Sequence, residues 1–259
     1  MNSSLLQIVG LSKRFGGLTA TDNLGLEVRD GETHAIIGPN GAGKTTLIAQ
    51  LAGALRPDSG SILFAGQDIT RRSVHDRVSA GLARSFQISC FLPQFSALQN
   101  VALAVQARHG SSFRFWRPAA AEVPIFDEAL AIMREVGLAD VAATPAERLS
   151  HGEHRQLELA LALATRPKLL LLDEPMAGMS GDESRKMLTL IERLTERLTV
   201  LLVEHDMDAV FRLADRISVL VAGSVIATGT PDEIRNDPQV RKAYLGDDES
   251  VVEPEEAAA

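Results

Sequence analysis

Residues 38–46, Gly-Pro-Asn-Gly-Ala-Gly-Lys-Thr-Thr, constrain this chain more than any other stretch. They follow Thr33–Ile37, a run suited to a strand buried on both faces. They precede a helical pattern over about Lys44–Gly53. The spacing G-x-x-x-x-G-K-[ST] between a strand and a helix predicts a phosphate-binding loop. Gly38, Gly41 and Gly43 let the backbone curl around a phosphate without a Cβ clash. The amides of the turn, with Pro39, Asn40 and Ala42 between the glycines, then form an anion nest, and the helix adds its positive end. Lys44 brings a mobile cation to the outer phosphates, and the Thr45 hydroxyl, followed by Thr46, suits Mg²⁺. The motif predicts a nucleotide phosphate but not what its energy drives.

A second feature supplies the acid partners. Lys168–Leu172 predicts a buried strand that ends in Asp173 and Glu174. Asp173 is placed to reach Mg²⁺ through water. Glu174 is expected to point elsewhere, because neighbouring strand side chains diverge, and to act as the base that orients an attacking water. Val200–Glu204 predicts another strand, closing in His205. One helix and one strand beyond the carboxylates, His205 returns to the same sheet edge, where it can hold the terminal phosphate and Glu174 in place.

Around these motifs the chain reads as α/β. Leu5–Val9, Leu24–Val28 and Ser61–Ala65 predict strands, and Gly16–Gly17, Asp30–Gly31 and Pro57–Gly60 predict turns. Between about Ser85 and Ser150 helical periods take over, at Ala97–Ala107 and Phe126–Val136, with an irregular insertion near Arg108–Pro124. Its alternating Phe, Arg and Trp could mark RNA or lipid contact, though a surface loop packed by its own aromatics is the simpler reading. Helices are expected at Glu153–Thr165, Asp182–Leu198 and Met207–Ala214, then a hairpin of Ile217–Val221 and Ser224–Thr228 around Gly223. The expected architecture is a mostly parallel sheet with an antiparallel β subdomain and an inserted helical subdomain at about 88–150. One domain spans 1–246, and an acidic disordered tail spans 247–259.

Composition removes several classes. The formal net charge of −8 offers no basic field for nucleic acid. Cys90 is the single cysteine, which excludes an intramolecular disulfide or thiolate metal cluster; a small apolar filler is its expected role. MNSSLLQIVG lacks the features of a secretory signal, and no apolar run reaches the ~18 residues of a spanning helix. Any membrane part is expected to come from a partner.

Taken in order, the motifs resemble those of the ATP-binding subunits of ABC transporters, from about residue 5 to residue 246. GPNGAGKTT corresponds to Walker A, Gln87 in ARSFQ to the Q-loop, and Leu149-Ser150-His151-Gly152-Glu153 to the LSGGQ signature. LLLLDEP corresponds to Walker B and His205 to the switch histidine; Phe15 stands where an aromatic stacks on adenine. The resemblance implies ATP and Mg²⁺ as ligands and a head-to-tail dimer with a second ATPase subunit. Ser150 and the Gly152 amide then contact the γ-phosphate across the interface, and Gln87 touches Mg²⁺ and links the site to the helical subdomain. Three departures stand out: His151 replaces the first signature glycine, Glu153 the usual Gln, and Ser180 an Asp found in many members.

GLARSFQ, the insertion, LSHGEHRQLELA, DEPMAGM and the ending AYLG resemble ATPases of branched-chain amino acid importers and of related amide or urea importers. That implies membrane subunits and a periplasmic binding protein as partners, and a place on the cytoplasmic face of the bacterial inner membrane. A lipopolysaccharide-export ATPase is a more distant alternative, because that ATPase lacks the insertion. A non-transport ABC ATPase is disfavoured by the absence of long coiled-coil inserts or a second ATPase half.

Overall fold

The computed structural model describes residues 3–85, 91–109 and 123–245. Gln87, Cys90, most of the Arg108–Pro124 insertion and the tail from 247 lie outside them. Two sheets form. In the smaller, β1 (Ser4–Phe15), β2 (Leu18–Arg29), β4 (Ser59–Phe64) and β5 (Gln67–Asp68) run in the order β2-β1-β4-β5, all antiparallel. β1 and β2 are longer than Leu5–Val9 and Leu24–Val28. The apolar alternation that marks them breaks at Gly10, where φ is +60° and the register shifts between Ile8 and Leu11. A bulge there carries the strand past the break.

The larger sheet holds β3 (Thr33–Ile37), β6 (Leu82–Arg84), β7 (Leu169–Asp173), β8 (Thr199–Val203), β9 (Arg216–Val221) and β10 (Ser224–Gly229). Their order is β10-β9-β3-β8-β7-β6. The last five are parallel, and β10 closes an antiparallel hairpin with β9. The central strands are buried throughout, so alternate residues serve different cores. Leu169, Leu171, Leu201 and Val203 pack with α1 (Lys44–Ala52) and the small sheet. Leu170, Leu172, Val200 and Leu202 pack instead with α3 (Ala97–Arg108), α4 (Val123–Glu135), α5 (His151–Ala164), α6 (Gly181–Thr195) and α7 (Met207–Leu213). Each fully buried Leu contributes about 1.5–3 kcal/mol.

Several boundaries differ from the sequence expectation. α5 begins at His151 rather than Glu153, because Ser150 is the N-cap and exchanges hydrogen bonds with Glu153. β6 and α2 (Val74–Ala80) were not anticipated, nor were α8 (Pro231–Asn236) and α9 (Pro238–Leu245). α1 is anchored at its far end by Arg77, which is 1% exposed. The Arg77 guanidinium donates to the Gln50 and Leu51 carbonyls, both at 2.6 Å. A cation at the last carbonyls of a helix complements its dipole, so the helix that carries Lys44 is pinned from behind.

Candidate nucleotide-binding site

Parallel pairing brings the predicted groups to one edge. Ile36 of β3 pairs with Val203 of β8, and Val203 pairs with Asp173 of β7. Gly38, Glu174 and Glu204 therefore stand just past the carboxyl ends of three adjacent strands, the edge at which α/β sheets bind ligands.

The loop 38–43 is shaped as much by its own protein as by any ligand. A Cβ on Gly38 would lie 2.1 Å from the Leu220 carbonyl oxygen. One on Gly43 (φ +104°) would lie 2.1 Å from that of Ala20. Only glycine fits either place. Gly41 (φ +81°) meets nothing within 4 Å and needs glycine for its backbone alone. Ala42 is buried and locked by the Gly223 amide, which donates to its carbonyl at 2.9 Å. Pro39 is half-buried, and Asn40 is exposed.

Lys44 is 8% exposed. Its ammonium donates to the Gly38 carbonyl at 2.6 Å and the Pro39 carbonyl at 3.1 Å. Two of its three donors are thus spent on the loop, and one is left for a phosphate oxygen. Burial lowers the Lys44 pKa, and the charges of Glu174 and Asp173 oppose that shift. Thr45 is exposed and Thr46 half-buried in the first turn of α1.

Asp173 is 3% exposed. Its Oδ2 accepts from Arg84 Nη2 at 2.7 Å, while Oδ1 has no hydrogen-bond partner among the described residues. An unsatisfied buried carboxylate oxygen is costly. It fits a hard cation that takes oxygen ligands, such as Mg²⁺, with the Thr45 hydroxyl available on α1. Arg84 was missed from sequence, although it lies only three positions before Gln87.

Glu174 does not continue the strand on which its expected divergence from Asp173 was argued. β7 ends at Asp173, and Glu174 turns into the left-handed region with φ +47°. Its amide donates to the Val203 carbonyl at 2.9 Å. Its side chain is half-exposed. A non-glycine residue held at positive φ carries strain that the surroundings must support.

His205 is exposed, with Nδ1 3.7 Å from Glu204 Oε2. Glu204, also missed, is 1% exposed and accepts from the Met176 and His205 amides. Burial raises its pKa, partly offset by those amides. The signal for it was a carboxylate directly after a four-residue apolar run.

The signature residues are placed differently. Ser150 and His151 are exposed at the start of α5. Among the described residues no hydrogen bond joins them to the phosphate loop. His151 is within 3.3 Å of the Ala177 carbonyl through Nε2. Gly152 is buried against Glu183, where a Cβ would meet Oε1 at 2.6 Å. Ser180, the N-cap of α6, accepts from the Glu183 amide and donates to its carboxylate. Phe15 is 49% exposed at the end of β1, with the Lys13 ammonium 5.6 Å from its ring centre. The structure thus brings Lys44, Asp173, Glu174 and His205 to one edge and leaves Ser150 and Phe15 facing outward.

Residues 21–177 match the ABC transporter family. The chain belongs to that family. Residues 224–250 also match the branched-chain amino acid ATP-binding cassette transporter family. The chain is 37% identical to the Pseudomonas aeruginosa high-affinity branched-chain amino acid transport ATP-binding protein BraF, over 95% of its length and all of the relative's. It is 37% identical to the corresponding Escherichia coli K12 protein LivG, again over 95% of the chain and all of the relative. A nucleotide-free ATP-binding cassette from an ABC transporter superposes with a TM-score of 0.81 at 29% identity, over 94% of this chain and all of the other. The chain is therefore an ATP-binding subunit of a transporter complex and an ATPase of the ABC type. No helix among the described residues is long and apolar enough to cross a membrane.

Proposed function

We propose that this chain hydrolyses ATP to drive uptake of branched-chain amino acids through separate membrane subunits. The match of residues 224–250 to the branched-chain amino acid transporter family carries the substrate class, and the BraF and LivG likenesses support it. Residues 1–246 act as one ATPase domain with a helical insertion at about 88–150, and the segment 247–259 is an acidic tail outside it.

In this reading Phe15 stacks on the base. The loop Gly38–Thr46 cradles the phosphates, and the third donor of Lys44 reaches the outer oxygens. Asp173, Thr45 and Gln87 would hold Mg²⁺, which when bound neutralises charge on the β- and γ-oxygens. Glu174 accepts the proton of a water that attacks the γ-phosphorus in line, and the bond to the bridging oxygen breaks to release ADP and phosphate. His205 donates to a γ-phosphate oxygen. Ser150 and the Gly152 amide serve the nucleotide on a second ATPase subunit, where the positive end of α5 favours an anion. A periplasmic binding protein delivers the cargo, and this subunit works at the cytoplasmic face of the bacterial inner membrane.

Leucine uptake by cells lacking the chain tests this directly. Restoring the chain should restore uptake of labelled leucine, competed by isoleucine and valine but not by urea. Uptake that is indifferent to the chain, or competed by urea or short amides, would reject the proposed substrate class.

A further inference from the structure

The two residues assigned to hydrolysis, Glu174 and His205, sit on separate turns after β7 and β8. One buried side chain holds both turns. Glu204 Oε1 accepts from the Met176 amide at 3.2 Å, two residues beyond Glu174. Its Oε2 accepts from the His205 amide at 3.0 Å. The end of β8 therefore supports the Glu174 turn twice, because the Val203 carbonyl also takes the Glu174 amide at 2.9 Å.

That support has work to do. Glu174 is held at φ +47°, a conformation that a non-glycine residue keeps only when its neighbours enforce it. The next turn must also present His205 to the same phosphate. No Lys or Arg lies within ion-pair distance of Glu204 among the described residues, and its only close ionisable neighbour is His205 at 3.7 Å. The carboxylate is thus kept at 1% exposure by backbone amides. Burying it without a countercharge is unfavourable, which makes an inert filler a poor account of an acid here. A carboxylate can accept from two amides at once. In an amide side chain of the same shape one of the two contacting atoms would be a nitrogen, which donates and cannot accept.

We infer that Glu204 is a positioning residue for ATP hydrolysis, fixing the Glu174 turn and the His205 turn relative to one another. The inference rests on the assignment of Glu174 and His205 as the hydrolytic pair. Glu204 touches neither nucleotide nor water in this account, so its loss should slow the chemical step and spare binding.

The test compares E204Q and E204D with the parent full chain. Steady-state ATPase, affinity for a fluorescent ATP analogue and thermal unfolding are read together. E204Q keeps the volume but turns a donor toward one of the two amides. It should lower kcat about 10- to 100-fold, the scale of a small misplacement at a reacting centre, with nucleotide Kd within about threefold and cooperative unfolding retained. E204D, shorter by one methylene, should fall between. Adding E204Q to E174Q should slow turnover no further, because both act on the same step. E204Q within about twofold of the parent kcat would overturn the inference. So would a loss explained by an equal rise in Kd, or by loss of cooperative unfolding, either of which marks a merely structural role. E174Q measured alongside separates the assumptions. A parent-like E174Q removes the hydrolytic pair itself, whereas an inactive E174Q beside a parent-like E204Q removes only the positioning role.

Discussion

At the phosphate loop Lys44 and Asp173 are buried and braced by their own chain, while at the start of α5 Ser150 and His151 face solvent. Lys44 is tied to the Gly38 and Pro39 carbonyls, and Asp173 to Arg84. Glu174 is tied through its amide to Val203. By contrast, the Ser150 hydroxyl and amide bond with Glu153 in a capping box, and His151 reaches the Ala177 carbonyl on the loop before α6. The first region is held in place by contacts within this chain. The second offers a helix N-terminus and an exposed hydroxyl with no hydrogen bond to the phosphate loop among the described residues, an arrangement that suits a phosphate carried by another molecule.

If that contrast is right, changes in the first region should abolish binding or chemistry in the isolated subunit, and changes in the second should not. The largest effect is expected for Lys44→Ala, which removes the main cation of the cradle. Nucleotide binding should become undetectable by titration calorimetry, and an unchanged affinity would remove the phosphate loop as drawn. Next is Glu174→Gln, expected to leave binding intact and to cut turnover about 10²–10⁴-fold. An ATP-bound dimer should then accumulate in gel filtration, and turnover within a few-fold of the parent would reject the base assignment. The smallest is Ser150→Ala. Loss of the cap should cost about 1 kcal/mol in denaturant unfolding. It should depress ATPase activity at concentrations where subunits pair, while nucleotide affinity of the dilute subunit stays at the parent value. A Ser150→Ala subunit that binds ATP as poorly as Lys44→Ala would erase the distinction between the two regions.

Much of the first region was legible in the sequence. The strand Thr33–Ile37, the glycines, Lys44 and the acidic pair after Leu172 are contiguous signals, and local patterns of that length survive folding. What was missed depends on distant partners. β6 is three residues long, too short for any periodicity to register. Arg84 gains its role from a carboxylate 89 positions away, and Glu204 from an amide 28 positions away. The capping box at Ser150 is present in the letters, since Glu153 follows at the right spacing, and it starts the helix two residues before Glu153.

By itself the sequence determined which atoms could do chemistry: a cation on a glycine loop, two adjacent carboxylates and a histidine closing an apolar run. Tertiary structure decided how those atoms are used. The Ala20 and Leu220 carbonyls, supplied by other strands, are what make glycine obligatory at 43 and 38. The backbone turn at Glu174, stitched to β8, is what ends the strand pleat after Asp173. Residue type and spacing are local properties of a chain. Burial, register and hydrogen-bond partnership exist only once strands far apart in sequence lie side by side.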